Sequence, residues 1–232
     1  MLHIRPEEHS GKDIYKMMIG LVVPRPIAFV STVSAEGVRN LAPFSFYNAI
    51  CGAPPVVCFS IAVRAPKPEA GLLAIKDTLR NIRETGEFVI NVVTENIAEG
   101  MNAAAAEVPA HVDEFAMAGL TPLASEVVQA PRVAEARAQM ECRLLQVVPV
   151  GRVDEGEGAT LVIGQVVRFH VRKGIFEKFR IDPDKLQAVG RMAGNSYIRT
   201  REHFELIRPH SEAEARASLH AEEQAKSRGE KK

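Results

Sequence analysis

Two clusters of residues in this 232-residue chain have the types and spacing to do chemistry. The first runs through Ser31-Thr32-Val33 and, six residues on, Asn40-Leu41-Ala42-Pro43-Phe44-Ser45. Hydroxyls, an amide and a proline stand there where a purely structural strand would use Val and Ile. Extended backbone carrying small side chains can offer its N–H and C=O groups to a flat polar heterocycle. Asn40 can pair with an amide-like edge, and Ser31, Thr32 and Ser45 can reach a sugar-like chain or a phosphate. The second cluster, Lys76-Asp77-Thr78, opens a helical run, and a helix start with a lysine and a hydroxyl suits an anion. Together the clusters describe a ring pocket and an anion clamp. Taken singly, the first also fits polar residues on a solvated strand face, and the second fits simple capping by Asp77 or Thr78.

Other chemistries lack their motifs. No G-x-G-x-x-G follows a strand, and there is no G-x-x-x-x-G-K-[ST], so neither a Rossmann site nor a P-loop is supported. G-x-S-x-G is absent, and the seven histidines never fall at metal-ligand spacing, so no metal is expected. Lys plus Arg, 29, equals Asp plus Glu, 29, which gives no basic excess for nucleic acid or an anionic membrane. Cys51, Cys58 and Cys142 form no C-x-x-C and read as reduced residues of a cytoplasmic protein. No run of 18 apolar residues exists to span a bilayer.

The elements that must position these clusters are mainly β with inserted helices. Residues 12–22 carry Ile14, Met17, Met18, Leu21 and Val22, an amphipathic helical stripe ended by Pro24 and Pro26. Residues 27–33 read as a strand, 34–37 as a turn, and 40–50 as a second extended segment. Residues 56–63 read as a third, buried strand. A helix begins near Asp77 and stops at Gly86, and residues 88–93 return to strand. Another helix is expected from about Ile97 to Pro109, with 108–122 irregular. Two long strands, 138–153 and 160–171, flank a glycine-containing loop. Closely spaced strands of this kind suggest a barrel or sandwich and argue against a doubly wound parallel sheet. After Pro209, five acids, five bases and a single large apolar residue, Leu219, occupy residues 210–232. That divides the chain into a domain over 1–209 and a polar tail expected to be a frayed helix or a flexible segment.

The blocks RPIAFVST (25–32), NLAPFSFYN (40–48), Pro54-Pro55, Lys76-Asp77-Thr78, EFVIN (87–91) and the late Gly190-Arg191-Met192-x-Gly194-x2-Tyr197 resemble, in order and spacing, the flavin reductase-like, FMN-binding split-barrel family. The resemblance covers roughly residues 10–208. It implies a Greek-key split β-barrel that forms a homodimer, with FMN near the subunit interface. Carried over by motif, Ser31, Thr32 and Val33 would line the flavin. Asn40, Ala42, Pro43, Phe44 and Ser45 would contact its ring or ribityl chain, and Lys76 and Thr78 would hold its phosphate. Arg25 would be a second phosphate contact or a dimer contact, and Arg191 and Tyr197 would face the substrate. His170 invites a nicotinamide or proton-transfer role on that side, while its alternation with Phe169 and Val171 equally fits one face of a strand.

The flavin would supply the chemistry, so no catalytic side chain is assigned. The leading expectation is hydride transfer from NADH or NADPH to FMN, which then serves a monooxygenase or another acceptor. The alternatives are a flavoredoxin-like electron-transfer protein without pyridine-nucleotide activity, and a non-redox member of the family.

Overall fold

The computed structural model describes residues 1–64 and 75–217. The chain divides into two units, Met1–Arg201 and Glu202–Lys232. In the second, residues 212–217 are helical, with Arg216 paired to Glu212 one turn away at 2.6 Å.

The first unit begins with α1 (Gly11–Leu21), whose Ser10 side chain accepts a hydrogen bond from Asp13 N at 3.2 Å. Four strands follow: β1 (Ala28–Val33), β2 (Arg39–Phe44), β3 (Tyr47–Gly52) and β4 (Pro55–Ala62). Helix α2 (Asp77–Thr85) leads into β5 (Glu87–Val92), and two short helices, α3 (Ala98–Ala103) and α4 (Glu114–Met117), come next. The two-residue strands β6 (Pro122–Leu123) and β7 (Arg132–Val133) precede the long hairpin of β8 (Ala138–Val150) and β9 (Ala159–Val171). A small hairpin, β10 (Phe176–Glu177) with β11 (Arg180–Ile181), the turn of helix α5 (Pro183–Leu186), and a last hairpin, β12 (Val189–Arg191) with β13 (Tyr197–Arg199), complete the unit.

Seven strands form one antiparallel sheet in the order β2-β1-β5-β8-β9-β4-β3. Its two edge strands, β2 and β3, are consecutive in the chain and separated only by Ser45 and Phe46. Three residue steps reach at most about 11 Å, so the sheet has to curl until its edges meet. They meet without a hydrogen-bonded ladder between them, which leaves an open barrel with a seam at Pro43–Phe46. The single extended segment expected over 40–50 is therefore two strands on opposite edges.

Alternate residues of each strand fill the barrel: Val30, Val57, Phe59, Phe88, Ile90 and Val162 are buried together. The rings of Phe44, Phe59 and Phe88 run through it with centroids 5.3 and 5.5 Å apart. Phe88 occupies the space a Cβ would take at position 164, which is why β9 has Gly164 there. The opposite face of β1 and β2, with Ile27, Phe29 and Leu41, packs under Ile97, Met101 and Phe115 of the α3–α4 region.

Helix boundaries depart from expectation in two places. Lys76 is the N-cap of α2, and no side chain caps the helix. Asp77 is drawn instead to Arg80 at 2.7 Å and Arg64 at 3.8 Å, and the Thr78 hydroxyl donates to Asn40 Oδ1 at 2.8 Å. The helix expected to reach Pro109 ends at Ala103, and α4 interrupts the segment read as irregular, capped by Asp113. The stop of α2 is as expected. Gly86 adopts φ 71° and donates to Ile82 O at 2.9 Å, a left-handed C-cap suited to glycine.

Candidate active site at the seam

The seam opens into two adjoining cavities that share Pro43 and Ala105. The smaller, about 80 Å³, lies between β2 (Asn40, Ala42, Phe44) and the start of α2 (Lys76, Thr78), with Arg64 and Glu114 also on its walls. The larger, about 230 Å³, is bounded by Ile19 of α1, Arg25, Ser45, Met101 of α3, and Arg191 and Tyr197 of the last hairpin. Beyond Tyr197, Met101 and Asn102 it adjoins a third, largely apolar cavity of about 390 Å³ that reaches Glu95 and Arg199.

The small cavity carries charge of both signs, with Lys76 and Arg64 beside Asp77, Glu107 and Glu114. Burial pushes the Lys76 ammonium below the usual lysine range, with Glu107 opposing and Arg64 adding to that effect. Its Nζ lies 5.8 Å from the centroid of the Phe44 ring. A desolvated lysine and the uncapped N-terminus of a nine-residue helix together suit an anionic group. Asn40, however, is bonded within the protein through both its amide nitrogen and its oxygen. Its Nδ2 donates to Glu114 Oε1 at 2.7 Å, and its Oδ1 accepts from Thr78 at 2.8 Å and Thr32 at 3.1 Å.

The large cavity suits a flat ring. Pro43, Ile19, Ile27 and Met101 give it apolar walls. The Arg191 guanidinium stacks on Tyr197 at 4.4 Å from the ring centroid, and the Tyr197 hydroxyl donates to Asn102 Oδ1 at 3.3 Å. Arg25 is buried, and its two terminal nitrogens donate to Ile19 O, Val22 O and Met192 O at 2.6 to 3.0 Å. It thus ties the C-terminal carbonyls of α1 to the last hairpin, a favourable place for a cation. Its Nε, buried on the same residue, has no hydrogen-bond partner.

The structure therefore brings together Arg25, Asn40, Ala42, Pro43, Phe44, Ser45, Lys76, Thr78, Arg191 and Tyr197 along one cleft. It does not bring Ser31, Thr32, Val33 or His170 to these walls. Ser31 and Thr32 are fully buried. The Ser31 hydroxyl donates to Pro131 O at 2.5 Å and accepts from Asn91, and Thr32 accepts from Asn81 Nδ2 at 3.0 Å. These hydroxyls satisfy polar groups beneath the surface, as burial demands. Arg25 lines the larger cavity and not the one that holds Lys76. His170 is on β9, paired with Gln139, and its Nε2 lies 2.5 Å from Glu141 Oε1. Glu141 also accepts from Glu126 N, Val127 N and Val128 N at 2.7 to 3.1 Å, so this pair fastens residues 126–128 to the sheet. Among the described residues no cluster of His, Cys, Asp and Glu is arranged to hold a metal, and no helix is long and apolar enough to cross a membrane.

Glu114 is the site residue that sequence reasoning misses. It lies in a stretch dominated by breakers, and a lone Glu near a turn normally signals solvent. The available sign was Asp113, whose carboxylate accepts from Phe115 N at 2.9 Å as an N-cap does.

The model of the flavin reductase-like domain matches residues 19–188. An uncharacterized protein of Halalkalibacterium halodurans is 41% identical over 208 residues, 90% of this chain and 97% of that one. Among solved structures, nitrilotriacetate monooxygenase component B from Bacillus cereus is 41% identical with a TM-score of 0.82, covering 89% of this chain and 98% of that one. The Pseudomonas fluorescens 2-nitrobenzoate 2-nitroreductase is 28% identical with a TM-score of 0.78, over 90% and 97% of the two chains. With a domain match that takes in the barrel strands and the start of α2, and a sheet that curls to an open seam, the chain belongs to the flavin reductase-like family and has its split-barrel fold.

Proposed function

We propose that this chain is an FMN-binding flavin reductase that accepts hydride from NADH or NADPH and delivers reducing equivalents to a monooxygenase or another acceptor. The observation that carries the reading is the cleft itself, with a desolvated lysine at an uncapped helix start at one end and a flat, apolar-walled slot at the other. Lys76 and the first turn of α2 would hold the phosphate, with the Thr78 hydroxyl, already tied to Asn40, shaping that end. Ala42, Pro43 and Ser45 would border the ribityl chain and ring, and Arg191 and Tyr197 would wall the ring on the substrate side. Bound FMN would supply the redox chemistry. The protein's part is to bind, orient and exclude water. Supply of reduced flavin to an oxygenase is favoured by the likeness to a protein named as a monooxygenase component.

The active form in this reading is a homodimer. Helix α1 buries none of its residues, and Met18, Leu21 and Val22 are exposed alongside Phe46 and Ile50 of the neighbouring β3 region. An apolar helical stripe of this kind fits a second copy of the chain.

Anaerobic addition of NADH, and separately NADPH, to the purified protein mixed with FMN tests the activity. Bleaching of the oxidised flavin spectrum at a rate dependent on the protein is the expected result. Flavin that binds but is reduced by neither nucleotide would contradict the reductase reading and favour electron transfer from a protein donor.

A further inference from the structure

Glu114, the first residue of α4, has its carboxylate inside the small cavity and is only 7% exposed. Oε1 accepts from Asn40 Nδ2 at 2.7 Å and Oε2 from Leu41 N at 3.2 Å. Both donors are neutral, and among the described residues no cation forms an ion pair with it. The cations nearby are directed elsewhere: Arg39 of β2 to Asp113 at 2.6 Å, Arg80 of α2 to Asp77 at 2.7 Å, and Arg64 to Asp77 at 3.8 Å. Among the described residues, the other charged groups on these walls are Lys76, Asp77 and Glu107. Burial pushes the Glu114 carboxyl up to about 7, with Asp77 adding to the rise and the bonds from Asn40 and Leu41 opposing it.

A phosphate monoester entering this cavity brings between one and two negative charges. It would share a partly dehydrated space with Glu114, and like charges in such a space resist joint ionisation. Lys76 and the α2 terminus offer the ligand its compensation, whereas among the described residues no cation pairs with Glu114. Glu114 is also linked through Asn40 to the Thr78 hydroxyl, so its state bears on the start of α2.

We propose that Glu114 takes a proton from solvent as a phosphate monoester docks beside Lys76, so that ligand affinity at this end of the cleft is proton-linked. This rests on the FMN reading. The only bond made is the O–H of the Glu114 carboxyl, and no group is oxidised or reduced. Glu114 acts here as a positioning residue, through the charge of the pocket.

The test is calorimetric titration of the full-length protein with FMN at pH 7.5, in two buffers of different ionisation enthalpy, for wild type and Glu114→Gln, with riboflavin as the phosphate-free comparison. The expected result is greater proton uptake per FMN in wild type than in the variant, and no such difference with riboflavin. Above neutrality the FMN Kd of wild type should weaken by up to tenfold per pH unit relative to the variant. Equal proton uptake and parallel pH profiles in the two proteins would overturn the proposal. If FMN binds neither protein at any pH, the cofactor reading fails and the proposal falls with it. Infrared difference spectra of wild type alone give a second readout should the variant not fold. A protonated-carboxyl band gained on FMN binding and absent on riboflavin binding supports the proposal, and FMN binding without that band overturns it.

Discussion

Lys76 and Glu114 both line one cavity, and burial displaces each toward its neutral form. For Lys76 the consequence concerns binding. Lys76→Ala should weaken FMN binding by about 1.5–3 kcal/mol, the range for a charged hydrogen bond, or roughly 10- to 150-fold in Kd by fluorescence titration. An unchanged Kd would remove Lys76 from the phosphate role. For Glu114 the consequence also reaches stability. Its folded pKa, about 7, is raised above an unfolded value of about 4.3, so the folded state keeps a proton that the unfolded chain releases. That contribution is full below the unfolded value, is lost as pH rises toward 7, and is gone above it. Urea unfolding of wild type and Glu114→Gln at pH 5 and pH 8 should therefore show wild type losing about 2–3 kcal/mol relative to the variant. Parallel pH dependence would show that Glu114 ionises normally. Lys76 was legible because a lysine before a capping-type pair and a helical stripe has a recognisable grammar. Glu114 was not, because its burial depends on β2 lying across from α4, a contact 74 residues long in sequence. Ser31 and Thr32 were identified correctly as unusual strand residues. Their unusual feature is a buried hydrogen-bond network with Asn40, Asn81 and Asn91, which sequence spacing alone does not distinguish from a ligand surface.

Among the elements, α1 shows where periodicity stops informing. Its stripe was evident from spacing, and such a stripe ordinarily faces the core of its own chain. Here Leu21 is 77% exposed and no residue of the helix is buried, so the same pattern belongs to a surface that none of the described residues covers. In the homodimer reading, Leu21→Glu should shift the protein from dimer to monomer in sedimentation velocity, while far-ultraviolet circular dichroism stays unchanged. A variant that sediments like wild type would place the subunit contact elsewhere. The end of α2 was legible in Gly86, since a left-handed cap depends on a local backbone preference. Its start lies one or two residues before the expected cap, because Asp77 and Thr78 have capping side chains that tertiary partners, Arg80 and Asn40, claim first.

At the level of the molecule, the barrel's class followed from the density of strands, and its strand order did not. Nothing in residues 40–50 reveals that the chain crosses from one edge of a seven-stranded sheet to the other at Ser45 and Phe46. That crossing sets the position of the cleft. Because β2 and β3 meet without pairing, backbone and side chains at Pro43 to Ser45 are left facing a space. The start of α2 closes one end of that space and the last hairpin the other. The most direct measurement on this arrangement compares the affinities of FMN and riboflavin for the wild-type protein under one set of conditions. FMN should bind at least tenfold more tightly, because only FMN carries the group that Lys76 and the α2 terminus are proposed to hold. Equal affinities, or no binding of either, would contradict it.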